Sequence, residues 1–351
     1  MEKVSVLAIT KNGLNIALKI KSKFPSWKIY APSKFSNNEN SVEWYSEPTA
    51  IKVADLFKTN EALICLFSLG AVIRLIAPHI KDKKTDPAVI VIDDKTTFVI
   101  SALSGHLGGA NKLTLEIAHE LGSTPVVTTA ADVNKTIPVD LLGSEFGWKI
   151  DNDSTVTKVS ACMVNEEKIG VYQEAGEKNW WSGELPKNVT IYPTLKELKN
   201  SGSTGFLIIS DKKLDLDILA DAVIYRPKSL VVGVGLHWDT SKDKIKECLE
   251  ACFKKFGLSL KSIAKFATIK KKQGVKGLNE LSQELKVPIE YFEKEDLAKI
   301  PIPNPSETVK TFEGTPSVSE AAAIKSSGGR LIVEKQKFPP DLTITVARIS
   351  N

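Results

Sequence analysis

The chain has 351 residues, of which 42% are hydrophobic and 25% are charged, and its formal net charge is +5. This composition argues against a disordered chain, and the length exceeds what one hydrophobic core usually covers, so we expect two or three domains. Because no apolar stretch is long enough to span a membrane and the basic runs lack interleaved aromatic residues for base stacking, we expect neither a membrane nor nucleic acid as a partner.

Short apolar runs rich in Val and Ile alternate with helical stretches along the whole chain, which predicts open α/β domains with mostly parallel sheets. The first run, at residues 4–10, follows the amino terminus directly and is typical of a strand rather than a signal peptide, so we expect a cytoplasmic protein. Further strands are predicted at 63–67, 88–92, 97–101 and 125–127. Helices are predicted at 13–23, 71–79 and 108–121.

The remainder of the chain divides into a middle module and a C-terminal module. Pro227 suits a linker before a fresh strand at 230–233. We therefore predict an N-terminal α/β domain at 1–136, a smaller middle α/β module at 137–227 and a C-terminal α/β domain at 228–351. Strands are predicted at 168–171, 206–210, 222–225 and 342–349. Helices are predicted at 242–256, 278–284 and 318–325.

The cysteines predict neither disulfide bonds nor a structural zinc site, because no C-x-x-C pair occurs. Cys248 and Cys252 are four residues apart on a predicted helix and could share one face. With no second cysteine pair and no histidine nearby, buried or half-buried thiols are expected there.

Residues 104–111 place His106 among glycines, between a predicted strand and the start of a helix. Glycines let a ligand approach the backbone, free N–H groups at a helix start favour anions, and histidine can act as acid or base. The alternative is a plain glycine turn with a surface histidine. The spacing matches neither a Walker loop nor the dinucleotide fingerprint. The other candidate binding residues here are Ser104, Gly105, Gly108, Gly109 and Asn111.

Two more loops, at 68–74 and 127–134, follow predicted strands, and strand carboxyl ends form the ligand crevice of open α/β sheets. We therefore expect both loops to face the His106 segment. Only four of the 47 Lys and Arg residues are arginine, so Arg74 is a candidate for binding a carboxylate, with a structural ion pair as the alternative. The second loop offers Thr128, Thr129 and Asp132. Asp86, before a proline, is a further candidate or simply a turn residue.

At these loops the chain resembles the cobalt-precorrin-5A hydrolases of anaerobic cobalamin biosynthesis. The resemblance rests on an ordered set of blocks, and it is dense over the N-terminal third and looser in the middle. These blocks lie at 70–74, 77–78, 84–89, 104–111 and 127–134. The C-terminal third resembles a domain that this family shares with a small cobalamin-pathway protein, but residues 236–239 and 268–275 depart from the family pattern.

The resemblance implies a substrate that is an anionic, cobalt-bearing tetrapyrrole with a lactone ring. The family opens the lactone and releases acetaldehyde, and the cobalt belongs to the substrate, so we expect no cofactor and no metal site in the protein. We expect His106 to activate water and transfer protons, with backbone N–H groups near Gly108 and Gly109 stabilising the oxyanion. Asp132 would orient His106 or be the alternative base. Arg74 would hold a peripheral carboxylate.

The third domain contributes Glu320, near a predicted helix start, which would line the far wall of the site or serve as a structural capping carboxylate. Other cobalamin-pathway enzymes and a second copy of the chain are the remaining candidate partners. The alternative function is a non-catalytic carrier or chaperone of corrinoid intermediates, which the departures at residues 236–239 favour. A hydrolase on an unrelated small substrate lacks support, because no G-x-S-x-G elbow is present.

Overall fold

A computed structural model describes residues 1–37, 39–82, 85–106, 108–151, 155–214, 217–271, 274–340 and 342–350; the side chains of residues 132, 219 and 308 lie outside this description. The chain forms two compact units, Met1–Leu141 and Leu142–Asn351. Within the described residues, no helix is long and apolar enough to cross a membrane.

The first unit is a seven-stranded sheet covered by helices. Its strands are β1 (Val4–Ala8), β2 (Lys28–Pro32), β3 (Val42–Tyr45), β4 (Ala62–Leu66), β5 (Ala88–Ile92), β6 (Phe98–Leu103) and β7 (Thr124–Val126). Its helices are α1 (Lys11–Lys23), α2 (Thr49–Thr59), α3 (Leu69–Ile76), α4 (Ala110–Leu121) and α5 (Ala130–Val133). Every residue of β1, β4 and β5 is buried, as expected for parallel strands covered on both faces.

Apolar side chains form one core layer on each face of this sheet. Residues of α1 and α4, such as Ile20 and Ile117, pack with Val6 and Ile64 on one face. Residues of α2 and α3 pack against the alternate strand positions on the other face. Successive strand residues point to opposite faces, so α4 and α3 lie on opposite sides of the sheet.

The direction of β6 determines where the loops of the first unit lie. The strand order is β3-β2-β1-β4-β5-β6-β7, and β1 to β5 are parallel. Strand β6 is antiparallel to β5, with Ile90 opposite Ser101 and Ile92 opposite Val99, and β7 is parallel to β6. The loops that follow β6 and β7 therefore lie at the edge where β4 and β5 begin.

The second unit holds two five-stranded sheets. The first, ordered β10-β9-β11-β12-β8, contains β8 (Lys149–Ile150), β9 (Ile169–Gln173), β10 (Val189–Tyr192), β11 (Gly205–Ile209) and β12 (Ala222–Arg226), with helices α6 (Val156–Val164) and α7 (Leu195–Lys199). The second, ordered β15-β14-β13-β17-β16, contains β13 (Leu230–Gly235), β14 (Ile263–Ile269), β15 (Ile289–Phe292), β16 (Leu331–Phe338) and β17 (Leu342–Arg348). Its helices are α8 (Lys242–Lys255), α9 (Lys276–Leu285), α10 (Lys294–Leu297), α11 (Glu307–Glu313) and α12 (Val318–Ser327).

A buried ion pair joins the two sheets of the second unit. Asp211, just after β11, accepts two hydrogen bonds from the guanidinium of Arg348 at 2.8 and 2.6 Å, and a third from Ser229 Oγ at 2.9 Å. The Asp211 side chain is fully buried. A two-pronged contact of this kind requires the planar fork of arginine, which lysine cannot supply.

A second arginine, Arg226, is 2% exposed and donates to Asp151 Oδ2 at 2.7 Å. Burial disfavours the ionised form of Asp151, but the contacts with Arg226 and Lys261 outweigh it and hold the pKa of this carboxyl below its usual value. Two of the chain's four arginines therefore hold structural ion pairs in the second unit.

The predicted α/β class, with mostly parallel sheets, is confirmed. Strand β5 has the predicted bounds, β1 and α4 differ from prediction by two residues at one end, and β4 is shifted by one residue. The segment at residues 28–59, which forms β2, β3 and α2, received no predicted elements. The four cysteines are free and buried.

Candidate functional site

The loop after β6 folds back on itself through three backbone hydrogen bonds. Ala110 N–H donates to the Ser104 carbonyl at 3.1 Å, Asn111 N–H to Gly105 at 3.0 Å and Gly109 N–H to His106 at 2.9 Å. The first turn of α4 is therefore joined to the loop that precedes it. Gly109 N–H is already used within the loop, whereas Gly108 N–H has no acceptor among the described residues.

Two glycines make this tight turn possible. A Cβ atom on Gly108 would lie 2.4 Å from Ser104 Cβ and 2.7 Å from the Ser104 carbonyl oxygen, so no larger residue fits without a shift of the backbone. Gly109 has φ 78°, in the left-handed region that only glycine adopts readily. The sequence thus uses glycine for close approach at one position and for backbone conformation at the next.

Asn111 fastens the loop to its neighbours through its side chain. Asn111 Oδ1 accepts from Ser101 Oγ at 2.7 Å, and Asn111 Nδ2 donates to Thr129 Oγ1 at 2.8 Å. The residue is 7% exposed. It therefore connects β6, the start of α4 and the loop after β7, and these contacts give Asn111 and Thr129 a role in positioning the loop.

Asp86 and Ser104 also lie together. Ser104 Oγ donates to the Asp86 carbonyl at 3.0 Å, while the Asp86 carboxylate accepts from the backbone N–H groups of Lys81 at 2.9 Å and Asp82 at 3.1 Å. Asp86 is 8% exposed. These are the contacts of a turn carboxylate, and they anchor the segment before β5 beneath the His106 loop.

His106 lies beside a carboxylate that the sequence analysis did not select. Its Nδ1 atom is 3.3 Å from Asp140 Oδ1, and the two side chains are 16% and 17% exposed. Asp140 follows Ile137 and Val139, which are 1% and 2% exposed. Two apolar residues in alternation, followed by a carboxylate, were the sequence signal that could have identified Asp140. Residues 137–142 were instead interpreted only as the start of the middle module.

A cavity of about 490 Å³ opens beside His106. Its walls are largely apolar, and two of the apolar side chains, Leu115 and Val133, are 54% and 62% exposed. Lys112, whose side chain is 85% exposed, supplies a cation at the rim. The remaining lining residues are Gly105, Gly109, Asn111, Pro125, Val127 and Leu141. This arrangement suits a ligand with an apolar face and anionic substituents.

The expectation that the loop at 68–74 faces His106 is wrong. That loop follows the carboxyl end of β4, whereas the His106 loop lies at the opposite edge of the sheet because β6 runs antiparallel to β5. Arg74 belongs to α3, which covers the other face of the sheet from α4. It is exposed, and its Nη1 donates to the Gly70 carbonyl at 3.4 Å.

The loop at 127–134 does lie at the His106 edge, as expected. Thr129 contacts Asn111, and Val127 and Val133 line the cavity. Thr128 is exposed. The side chain of Asp132, the predicted partner of His106, lies outside the described part of the chain.

Glu320 lies in the second unit, in the first turn of α12, and has no exposed surface. Its Oε1 accepts from Asn304 Nδ2 at 2.8 Å and from the backbone N–H of Lys335 at 3.4 Å, and Lys335 Nζ is 3.7 Å from Oε2. These contacts are those of a buried structural ion pair. Among the described residues, no group of three or more His, Cys, Asp or Glu side chains could hold a metal ion.

Three family models match consecutive parts of the chain. They are described as "Cobalamin synthesis G N-terminal", "Cobalamin biosynthesis central region" and "Cobalamin synthesis G C-terminus". The residues matched are 52–132, 137–227 and 230–347, respectively.

Two curated relatives are similar to nearly the whole chain. The chain is 41% identical over 353 residues to a cobalt-precorrin-5A hydrolase of Priestia megaterium, covering 98% of this chain and 94% of the relative. It is 28% identical to a cobalt-precorrin-5A hydrolase of Salmonella typhimurium, covering 95% and 94%. A crystal structure of a cobalamin biosynthesis protein G homologue from Sulfolobus solfataricus aligns with 99% of this chain and 98% of its own, with 21% identity and a TM-score of 0.38.

Proposed function

The chain belongs to the cobalt-precorrin-5A hydrolase family, and on that basis we propose that it opens the lactone of cobalt-precorrin-5A and releases acetaldehyde to give cobalt-precorrin-5B. The observation that carries the proposal is the 41% identity to a cobalt-precorrin-5A hydrolase over 98% of the chain. The chain is therefore a hydrolase of cobalamin biosynthesis.

His106 is the acid–base group of this proposal. Lactone opening needs a water molecule activated at the carbonyl carbon, and the subsequent carbon–carbon cleavage needs a proton to be moved again. The His106 ring lines the cavity in the first unit and is partly exposed, so a bound ligand can reach it. One imidazole can accept the proton of the attacking water and later return it.

The oxyanion formed at the lactone carbonyl needs a hydrogen-bond donor that is already in place. Gly108 N–H is the donor we assign to this role, because Gly109 N–H is engaged by the His106 carbonyl. The sequence offered the N–H groups near Gly108 and Gly109 as oxyanion donors, and of these two the proposal keeps Gly108. The turn that holds Gly108 also holds His106, so both groups act from one short segment.

The side chains that line the cavity are suited to a large macrocyclic substrate. Leu115 and Val133 expose apolar surface that can pack against the face of a tetrapyrrole, and removing such surface from water favours binding. Lys112 lies where a peripheral carboxylate of the ring could pair with it. Cobalt enters with the substrate in this proposal, and metal analysis of protein purified without substrate should find no stoichiometric metal.

We place the reaction in the cytoplasm, a location that the free, buried thiols support, since oxidising compartments favour disulfides. A second copy of the chain and other cobalamin-pathway enzymes are the protein partners we propose. Light scattering of the purified chain tests the first of these.

Acetaldehyde release distinguishes the hydrolase from a corrinoid carrier. Purified protein is incubated with cobalt-precorrin-5A, and acetaldehyde is measured by coupling to alcohol dehydrogenase while the corrinoid mass is followed. The proposal predicts one acetaldehyde per corrinoid over many turnovers. Stoichiometric binding of the corrinoid without acetaldehyde would instead identify a carrier.

A further inference from the structure

Asp140 is a carboxylate next to His106 to which no role has been assigned. We infer that it is the positioning residue of the reaction: it fixes the His106 ring with its Nδ1–H directed at the carboxylate. The inference rests on the proposed function of His106 as the acid–base group. The 3.3 Å between His106 Nδ1 and Asp140 Oδ1 is the observation that carries it.

The backbone around Asp140 is built to hold the carboxylate in place. Ile137 and Val139, which precede Asp140, are buried, and Leu141, which follows it, lines the cavity. Leu141 N–H donates to the Pro138 carbonyl at 2.9 Å, which closes a turn across Asp140. The partner of His106 is therefore held between buried residues and a hydrogen-bonded turn rather than carried on a free loop.

The loop that carries His106 is equally constrained. His106 lies between Gly105, whose carbonyl accepts from Asn111, and Gly109, which donates to the His106 carbonyl. Two separately anchored segments thus present their side chains to each other. The contact differs from an ion pair between two mobile surface side chains, because each side chain is less than a fifth exposed.

The chemical consequence is a choice of tautomer. A carboxylate at Nδ1 holds the neutral ring with its proton on that nitrogen, so the lone pair is on Nε2. Nε2 then accepts the proton of the attacking water, and the imidazolium formed is stabilised by the Asp140 charge. The carboxylate stays ionised throughout, and Nε2 returns the proton in the later step.

Asp55 provides the matched control. It is an exposed carboxylate on α2, which covers the opposite face of the sheet from α4. Asp55→Asn and Asp140→Asn make the same chemical change, but only the second removes the carboxylate beside His106 Nδ1. The inference predicts that only Asp140→Asn affects the His106 ring.

Nitrogen-15 NMR of the imidazole rings reads the tautomer without any substrate. The chain has four histidines, so His106→Ala identifies the relevant signal. In the wild type and in Asp55→Asn, the neutral His106 ring should carry its proton on Nδ1. In Asp140→Asn, the signal should move to the Nε2–H form that free imidazole side chains favour. A wild-type ring protonated on Nε2 would overturn the inference, whether or not the variants fold.

Measuring turnover is the second test of the role of Asp140. Asp140→Asn should lower kcat for acetaldehyde release by about 100-fold or more with a smaller change in KM, in line with the usual contribution of a positioned acid–base group. Turnover within twofold of wild type, in a variant whose tautomer has changed, would contradict the positioning role. An inactive wild type would instead defeat the proposed function, and the NMR arm would still decide the His106–Asp140 geometry.

Discussion

Gly108 is the residue whose size the site tolerates least. Its missing Cβ would lie 2.4 Å from Ser104 Cβ and 2.7 Å from the Ser104 carbonyl oxygen, and neither can move without opening the turn. The turn also holds His106 and the proposed oxyanion donor. A single methyl group at this position should therefore disturb both functional groups at once.

Gly108→Ala should reduce kcat/KM for acetaldehyde release by more than about tenfold and destabilise the first unit by about 1–3 kcal/mol, the usual cost of overpacking. Gly70→Ala is the control, because a Cβ at Gly70 would meet only Arg74 Nη1, at 3.6 Å. Steady-state kinetics and urea unfolding of both variants check this. Equal activity in the two variants would show that the tight turn is not needed.

The antiparallel direction of β6 decides which loops form the candidate site. Apolar runs predicted β5 and β6, and the four-residue spacing of Leu113, Ile117 and Leu121 predicted α4. These patterns did not give strand direction, because an antiparallel hairpin and a parallel crossover strand can share the same apolar pattern. The turn at Asp93-Asp94-Lys95, too short for a crossover, was the local signal for an antiparallel pair.

The sequence also identified the His106 loop, since glycines and a histidine between a strand and a helix are unusual enough to stand out. Asp140 was missed because its contact with His106 spans more than thirty residues and depends on how the segment after α5 packs. Elements β2 and β3 were missed because their apolar runs are short: Lys28 and Pro32 bound the run in β2, and Glu43 interrupts the run in β3.

Arg74 lies away from the His106 loop. Helix α3 follows the carboxyl end of β4 and covers the opposite face of the sheet from α4, so Arg74 is remote from the His106 loop. Arg74→Ala should leave kcat for acetaldehyde release within about twofold of wild type, because surface changes away from a site cost little. A tenfold or larger loss would show that Arg74 takes part in substrate binding.

Two of the four arginines hold ion pairs inside the second unit. Arg348 of β17 reaches Asp211 after β11 and so joins the two sheets, while Arg226 holds Asp151. From the sequence, Arg74 was a candidate for binding a carboxylate, with a structural ion pair as the alternative. In the structure, the guanidinium groups of Arg348 and Arg226 pair with carboxylates of the protein itself, Asp211 and Asp151.

Arg348→Met should lower the stability of the second unit by about 3–5 kcal/mol, because it leaves the buried carboxylate of Asp211 without its charged partner. Arg330→Met is the control, since Arg330 is exposed. Urea unfolding followed by circular dichroism measures both. A wild-type transition in Arg348→Met would show that the pair contributes nothing net to stability.

The proposed mechanism depends on His106 as the acid–base group of a cobalt-precorrin-5A hydrolase. The most direct test is single-turnover acetaldehyde release from cobalt-precorrin-5A by the wild type, His106→Ala and His119→Ala, the last replacing an exposed histidine on α4. We predict that His106→Ala slows release by about 100-fold or more while His119→Ala matches the wild type. Undiminished release by His106→Ala would contradict the account.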